Sequence, residues 1–462
     1  YNVMRRDGAS QGRNVPAGTS LSPFGAFSSM DARAPSALRR IPRAASTSSR
    51  RIRSTVSPYS IMRVAGLFAG IGGFELGLGE SGHRPVLFCD ILPQSQAVLA
   101  EHFPGVDYEA DVTRLGDLPA DAEIVTAGFP CQDLSQAGKT AGIEGQRSGL
   151  ISEVFTLLDR RKESGARLPT LVIENVPFML QLNGGRAMRA IVDRLEGLGY
   201  RWAYRVVDTW AFGLPQRRER VYIVASTELD PSAVLFADEN PIARPKTSVG
   251  TVAHGFYWTE GKTGLGWAVD AVPTLKNGST IGIASPPAIL MPGSDRLIVK
   301  PGIEDAEAMQ GFPRGWTKPA EKVTRPSMRW GLVGSAVSVP VARWIGKRLA
   351  SPGLYDVRDR RMNLEFAAVG KTPRAARFDG VGRFAVDIST DPLGIRPAPL
   401  ADFVQGPLEP LSLKATLGFY SRTRRAKLRF DESFIAAVRA HLVRMGGDHA
   451  PEDAGSLFRN VA

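Results

Sequence analysis

Only two cysteines, Cys89 and Cys131, occur among the 462 residues, which rules out a disulfide framework and fits a reducing compartment. Long hydrophobic runs are missing too. No stretch approaches the ~18 apolar residues of a membrane span, and no compact apolar segment follows the basic start as a signal peptide would require. No metal site is expected. What remains is a 43% hydrophobic chain, long enough to bury one large core and a second lobe.

Net charge is +12 and unevenly spread. Residues 1–61 carry ten Arg, no Lys and the two acids Asp7 and Asp31, giving +8. Residues 351–462 give +4, and 62–350 balance to zero. An excess of this sign suits nucleic acid, but most of it sits in the leader, so overall charge decides little. That leader, rich in Ser, Ala, Pro and Arg, is expected to be disordered, or to be sequence lying upstream of a start at Met62. Its acid-poor composition also resembles an organelle transit peptide.

From 62 to 226 short β-branched runs alternate with helical patterns. Strands are expected at 63–67, 86–89, 124–127, 171–173 and 221–225, and helices at 153–161 and 186–198. Alternation of this kind predicts an α/β fold with a doubly wound, mostly parallel sheet. Residues 227–295 turn to Gly, Thr, Pro and Ser with scattered aromatics, as a smaller irregular lobe would. Helices return at 304–309 and 337–349, and an extension of unassigned role, 351–462, ends in a helix at 433–444. Within it Arg422, Arg424, Arg425, Lys427 and Arg429 form a basic run, suited to phosphates or to plain solvation.

Chemistry concentrates at the carboxyl ends of the expected strands, the edge where open α/β sheets keep their ligands. The first strand runs into Phe68-Ala69-Gly70-Ile71-Gly72-Gly73, and Asp90 follows the next, 20 residues after Gly70. Closely spaced glycines let a ligand approach the backbone, and an acid at that distance can hold ribose hydroxyls. A nucleoside-containing cofactor is implied, without saying which. Cys131 follows the third strand in Gly128-Phe129-Pro130-Cys131-Gln132. A lone cysteine there would ordinarily be a small buried hydrophobe. Glu174 ends the next strand in Glu174-Asn175-Val176, and Gln216-Arg217-Arg218-Glu219-Arg220 precedes the last. Singly, each has a dull explanation as a cap or a solvated face.

Taken in this order, the segments closely resemble the DNA cytosine-5 methyltransferases of bacterial restriction-modification systems. The resemblance covers 63–349 and rests most on Pro130-Cys131-Gln132 and Glu174-Asn175-Val176. It implies a Rossmann-like methyltransferase fold, S-adenosyl-L-methionine as cofactor and double-stranded DNA as partner. By resemblance, Cys131 adds to C6 of a flipped-out cytosine, and Glu174 binds the N3 edge and exocyclic amine and protonates N3. Arg218 and Arg220 hold the base and its phosphate. Phe68, Ala69, Gly70, Gly72, Asp90, Ile91, Asp111, Val112 and Pro130 are implied at the cofactor, with Ile91 standing where the family often has Trp. Gln132, Ser135 and Arg147, in a glycine-rich lid over 132–150, and Thr274 are implied at the DNA.

The same resemblance divides the chain into a cofactor-binding catalytic domain, 62–226, a target-recognition region, 227–295, and a closing segment, 296–350. It departs at Gly334-Ser335, where the family usually has Gly-Asn; serine is shorter, so whatever the amide supports has to be remade. A monomer in the bacterial cytoplasm, associated with the nucleoid and working beside a cognate restriction endonuclease, is the expected setting. A methyltransferase acting on transfer RNA, or a catalytically silent DNA-binding regulator, would share the scaffold. An NAD-linked dehydrogenase would use the glycine loop but gives Cys131 and Glu174 no joint role.

Overall fold

The computed structural model describes residues 61–130, 149–246, 249–262, 264–278, 286–356, 359–361 and 372–447. The chain opens β1 (Arg63–Leu67), α1 (Gly73–Gly79), β2 (Arg84–Cys89), α2 (Pro93–His102), β3 (Asp107–Glu109) and β4 (Ile124–Ala127). It continues α3 (Gly149–Glu163), β5 (Thr170–Asn175), α4 (Arg186–Leu198), β6 (Arg201–Asp208), β7 (Gln216–Arg217), β8 (Glu219–Ser226) and α5 (Ser232–Leu235). Short strands follow: β9 (His254–Phe256), β10 (Ala268–Val269), β11 (Val272–Pro273), β12 (Ala288–Leu290) and β13 (Ile298–Lys300). Then come α6 (Ile303–Met309), α7 (Arg329–Ser335), α8 (Val339–Ala350), β14 (Asp359–Arg361), β15 (Ala375–Phe378) and β16 (Arg383–Val386). The last elements are α9 (Leu400–Phe403), β17 (Glu409–Pro410), α10 (Leu413–Arg424) and α11 (Glu432–Arg444).

Among the described residues ten strands form one sheet, ordered β14-β16-β15-β6-β8-β5-β4-β1-β2-β3. β4 and β5 are buried along their whole length. Helices cover both faces, which is why these strands read as unbroken apolar runs instead of alternating. α4 lays Met188, Ile191, Val192 and Leu195 on the core, as their spacing predicts, and ends at Gly199 with φ 93°. The parallel part of the expected sheet runs from β3 through β5. β8 pairs antiparallel with β5 and with β6, and the extension folds back to lengthen the β6 edge with β15, β16 and β14, also antiparallel.

A smaller sheet, β10-β9-β12-β13-β17, carries the second lobe. Its strands come from 254–300, and the extension supplies β17, pairing Pro410 with Val299. α10 and α11 close over this sheet, packing Phe419, Phe434 and Val438 against Phe256, Leu290 and Ile298. The extension is therefore built into both lobes.

α1 meets α8 at glycine. A Cβ on Gly77 would stand 2.6 Å from the Ala342 side chain and 2.5 Å from the Val339 carbonyl. This close crossing fixes the late helix beside the glycine loop. On α1, Glu75 points between β1 and β4, where Oε1 accepts from the Thr126 hydroxyl at 2.8 Å while Oε2 has no partner among the described residues. A side chain on Gly66 would collide with it. Burial pushes this carboxyl from 4.5 up to about 7.

A raised folded-state pKa means the folded chain keeps a proton that the unfolded chain gives up. Stability therefore falls as pH climbs from 4.5 through about 7, by on the order of 3 kcal/mol if no other group compensates. Glu75→Gln is expected to flatten this part of the pH profile and to raise the melting temperature at pH ~8 relative to the parent. Thermal unfolding of both proteins across that range checks it, and an unchanged slope in the variant would assign the effect elsewhere.

Candidate active site

Three left-handed residues in five shape the loop after β1: Phe68 at φ 55°, Gly70 at 57° and Gly72 at 79°. Two glycines accommodate this freely; Phe68 is strained and is braced edge-on against Phe129, ring centroids 6.4 Å apart. Asp90 ties the loop down, accepting from the Gly70 amide at 2.8 Å through one oxygen and the Leu92 amide at 3.0 Å through the other. Trp316, far along the chain, donates its indole N–H to the Ile71 carbonyl at 2.9 Å.

The loop fits the adenosyl and methionyl parts of the expected cofactor. A Cβ at Gly70 would meet nothing within 4 Å, so the space in front of the backbone is open. Ile91 is 70% exposed, an apolar side chain free to cover an adenine ring. Asp111 accepts from the backbone and hydroxyl of Thr113, which hold its carboxyl below the usual range. Val112 is buried in the main core, leaving Asp111 as the member of that pair able to meet a ligand.

Across the same edge, Glu174 and Arg220 come together at the ends of β5 and β8, with Arg220 Nε 2.9 Å from Glu174 Oε1. Both are largely buried, at 9% and 12% side-chain exposure. A Cβ on Gly128 would lie 4.0 Å from Glu174 Oε2 and 3.8 Å from the Phe68 carbonyl, so the carboxylate, the cofactor loop and the turn after β4 converge. Asn175 fixes that turn by donating from Nδ2 to the Phe129 carbonyl at 3.1 Å. Pro130 is exposed at its tip. Cys131, Gln132, Ser135 and Arg147, with most of the expected lid, lie outside the described residues.

Arg218 is placed differently from its neighbour. It is 1% exposed, and its guanidinium donates to the carbonyls of Ala336 at 2.7 Å, Gly334 at 3.1 Å and Leu275 at 3.4 Å. Thr274 likewise donates to the Arg217 carbonyl at 2.8 Å. These two residues join the lobes, and Arg218 still lies near enough to Glu174 and Arg220 for their charges to act on its guanidinium. Gly334 lies so close to the Lys276 backbone that a side chain there would overlap it. Ser335 bonds back to Gly331 and Leu332 of its own helix, so the shorter side chain is absorbed locally.

A buried amide network supports the arginine segment. Gln216 donates to the Met309 carbonyl at 2.9 Å and accepts from the Leu275 amide at 3.0 Å. Gln310 donates to the Val333 carbonyl at 3.0 Å and accepts from the Ser338 hydroxyl at 2.7 Å. Asn175 and Gln216 stand inside motifs already conspicuous in the sequence; Gln310 gives no local signal at all.

A parallel sheet with a glycine loop after β1, an acid after β2 and a carboxylate-guanidinium pair on the same edge defines an S-adenosylmethionine-dependent methyltransferase. A family profile described as C-5 cytosine-specific DNA methylase matches residues 62–254. The Type II methyltransferase M2.BsuMI of Bacillus subtilis is 45% identical over 386 residues, covering 82% of this chain and 97% of its own. The Type II methyltransferase M.MspI of a Moraxella species is 28% identical over 303 residues, covering 62% and 69%. Among solved structures, the S. pombe Dnmt2 methyltransferase aligns with 62% of this chain and 98% of its own at 17% identity and a TM-score of 0.46. The chain belongs to the C-5 cytosine-specific DNA methylase family, whose members transfer a methyl group from S-adenosylmethionine to C5 of cytosine in DNA.

Proposed function

We propose that methyl transfer runs through Cys131, with Glu174 and Arg220 gripping the base. The observation that carries this is the buried Glu174–Arg220 pair facing the turn Gly128-Phe129-Pro130, from which the chain enters Cys131. Cys89 offers no rival nucleophile: it is 1% exposed, and burial, reinforced by Asp90, Glu109 and Asp111, pushes its thiol up to about 12.

Cytosine C5 is a poor nucleophile. Addition of the Cys131 thiolate to C6 breaks the C5–C6 double bond and moves its electrons toward N3, where Glu174 supplies a proton, leaving an enamine at C5. S-adenosylmethionine, when bound, supplies the electrophilic methyl group. Once C5 has taken the methyl group, N3 returns its proton to Glu174 and C5 loses its proton to water, which restores the C5–C6 double bond and expels Cys131 as thiolate. Arg220 orients Glu174 and places positive charge beside the base. Phe68, Gly70, Gly72 and Pro130 would line the methionyl side of the cofactor, Asp90 the ribose, and Ile91 and Asp111 the adenine. Gln132, Ser135 and Arg147 are proposed to close over a base that must leave the duplex to be reached.

The similar chains are Type II methyltransferases, and we assign this one the same setting, a monomer at the nucleoid protecting DNA from a companion endonuclease. Among the described residues no helix is long and apolar enough to cross a membrane. Bisulfite sequencing of plasmid DNA from an expressing host is expected to reveal 5-methylcytosine at one short recurring sequence. Modification confined to transfer RNA, or absent altogether, would overturn the assignment.

A further inference from the structure

We propose that the C-terminal extension completes the DNA-binding surface, with Arg424, Arg425, Lys427 and Arg429 on the phosphate backbone beside the recognised bases. This rests on the DNA methyltransferase reading above. The four side chains stand at the end of α10 and in the turn leading to α11, all exposed. No acid interrupts residues 422–429, and among the described residues none of the four takes part in an ion pair or hydrogen bond that would occupy its charge.

Their position is fixed by the neighbour that does have partners. Arg422 donates to the carbonyls of Trp258 at 2.5 Å and Glu260 at 3.0 Å, pinning the end of α10 to the recognition lobe. Gly261 lets that turn nest against the helix, since a Cβ there would touch the Phe419 ring at 3.4 Å. Glu260 pairs with Lys276, whose ammonium lies 4.0 Å from the centre of the Tyr257 ring. Lys276 follows Leu275, whose carbonyl receives Arg218. A short chain of bonded side chains thus links the basic turn to the arginine segment behind the active site.

Charge balance argues the same way. Residues 62–350, which hold the catalytic edge and β9–β13, carry no net charge, while 351–462 carry +4. A duplex held through its phosphates needs cations that are free to displace its counterions. The extension presents a compact set of them, on an element bonded into the recognition lobe.

The test is binding of a duplex containing the methylated sequence, measured by fluorescence anisotropy over a salt series. Replacing all four by alanine is expected to weaken binding at least about tenfold near 0.1 M salt. It should also reduce the slope of log K against log salt by roughly three to four, about 0.9 for each phosphate that is no longer neutralised. Cofactor affinity and melting temperature, measured on the same variant, report whether the lobe is intact. The pair R424A/K427A should give about half the change in slope and serves if four replacements unfold the lobe. An intact variant with parental affinity and slope would overturn the proposal. Failure of the parent protein to methylate DNA would instead sink the reading beneath it, so the two failures are distinguishable.

Discussion

Serine at position 131 is expected to leave S-adenosylmethionine binding intact and to cut methyl transfer by on the order of 10³-fold or more. An oxygen nucleophile has the right position but not the acidity: a thiol near pKa ~8.5 supplies useful thiolate at neutral pH, whereas a serine hydroxyl supplies almost no alkoxide. The variant should also fail to form a covalent adduct with duplex DNA carrying 5-fluorocytosine, in which the fluorine blocks the elimination that frees the enzyme. Cys89→Ala is the matching control. Its sulfur packs in the main core and takes no part in the chemistry, so that variant loses some packing and keeps the adduct. Full methylation by Cys131→Ser, or a trapped adduct that survives it, would remove Cys131 from the mechanism.

Those residues are legible in the sequence because their chemistry forces short, contiguous motifs. Gly70 and Gly72 are needed where the backbone is left-handed, and Glu174 must stand at a strand end beside the pocket. The strands that deliver them are buried on both faces, so composition alone marks them. β6 is hidden because Arg201 and Arg205 break its apolar pattern. Arg205 is nevertheless fully buried, donating to the carbonyls of Leu235 and Asp238 in one segment and of Ser389 in another. β3 is short and half exposed, with too little apolar content to announce itself.

The extension is opaque for a related reason. Its strands are two to four residues long, and two of them pair with strands more than a hundred residues away, Ala376 opposite Tyr204 and Pro410 opposite Val299. No local pattern encodes a pairing of that separation. Only α11, with a clear apolar face and Asp431 capping its first turn, can be placed from sequence. Its packing against Phe256 then shows what the periodicity could not, that the face is covered by the smaller sheet.

The two arginines of the Arg218-Glu219-Arg220 segment look equivalent in sequence, and lysine replacement is expected to separate them. Arg218→Lys should lower unfolding stability by several kcal/mol, because one ammonium cannot reach the Leu275 carbonyl and the paired Gly334 and Ala336 carbonyls together. Each buried acceptor left unpaired costs about 1–3 kcal/mol. The site is demanding even for arginine: burial, with the charge of Arg220 adding to it, already depresses the Arg218 guanidinium to about 9. The Gly334 carbonyl would lose the guanidinium bond, and Ala336 would keep only a long one from Gln310 at 3.4 Å. Arg220→Lys keeps a cation beside Glu174 and should hold stability within about 1 kcal/mol. It gives up the planar guanidinium that lies 2.9 Å from Glu174 Oε1, so methyl transfer should fall by roughly 10²-fold. Urea unfolding and methyl-transfer kinetics on both variants resolve the two roles. If Arg218→Lys unfolded like the parent yet lost as much turnover as Arg220→Lys, Arg218 would have to touch the substrate itself, and the clamp seen between the lobes would be incidental to catalysis.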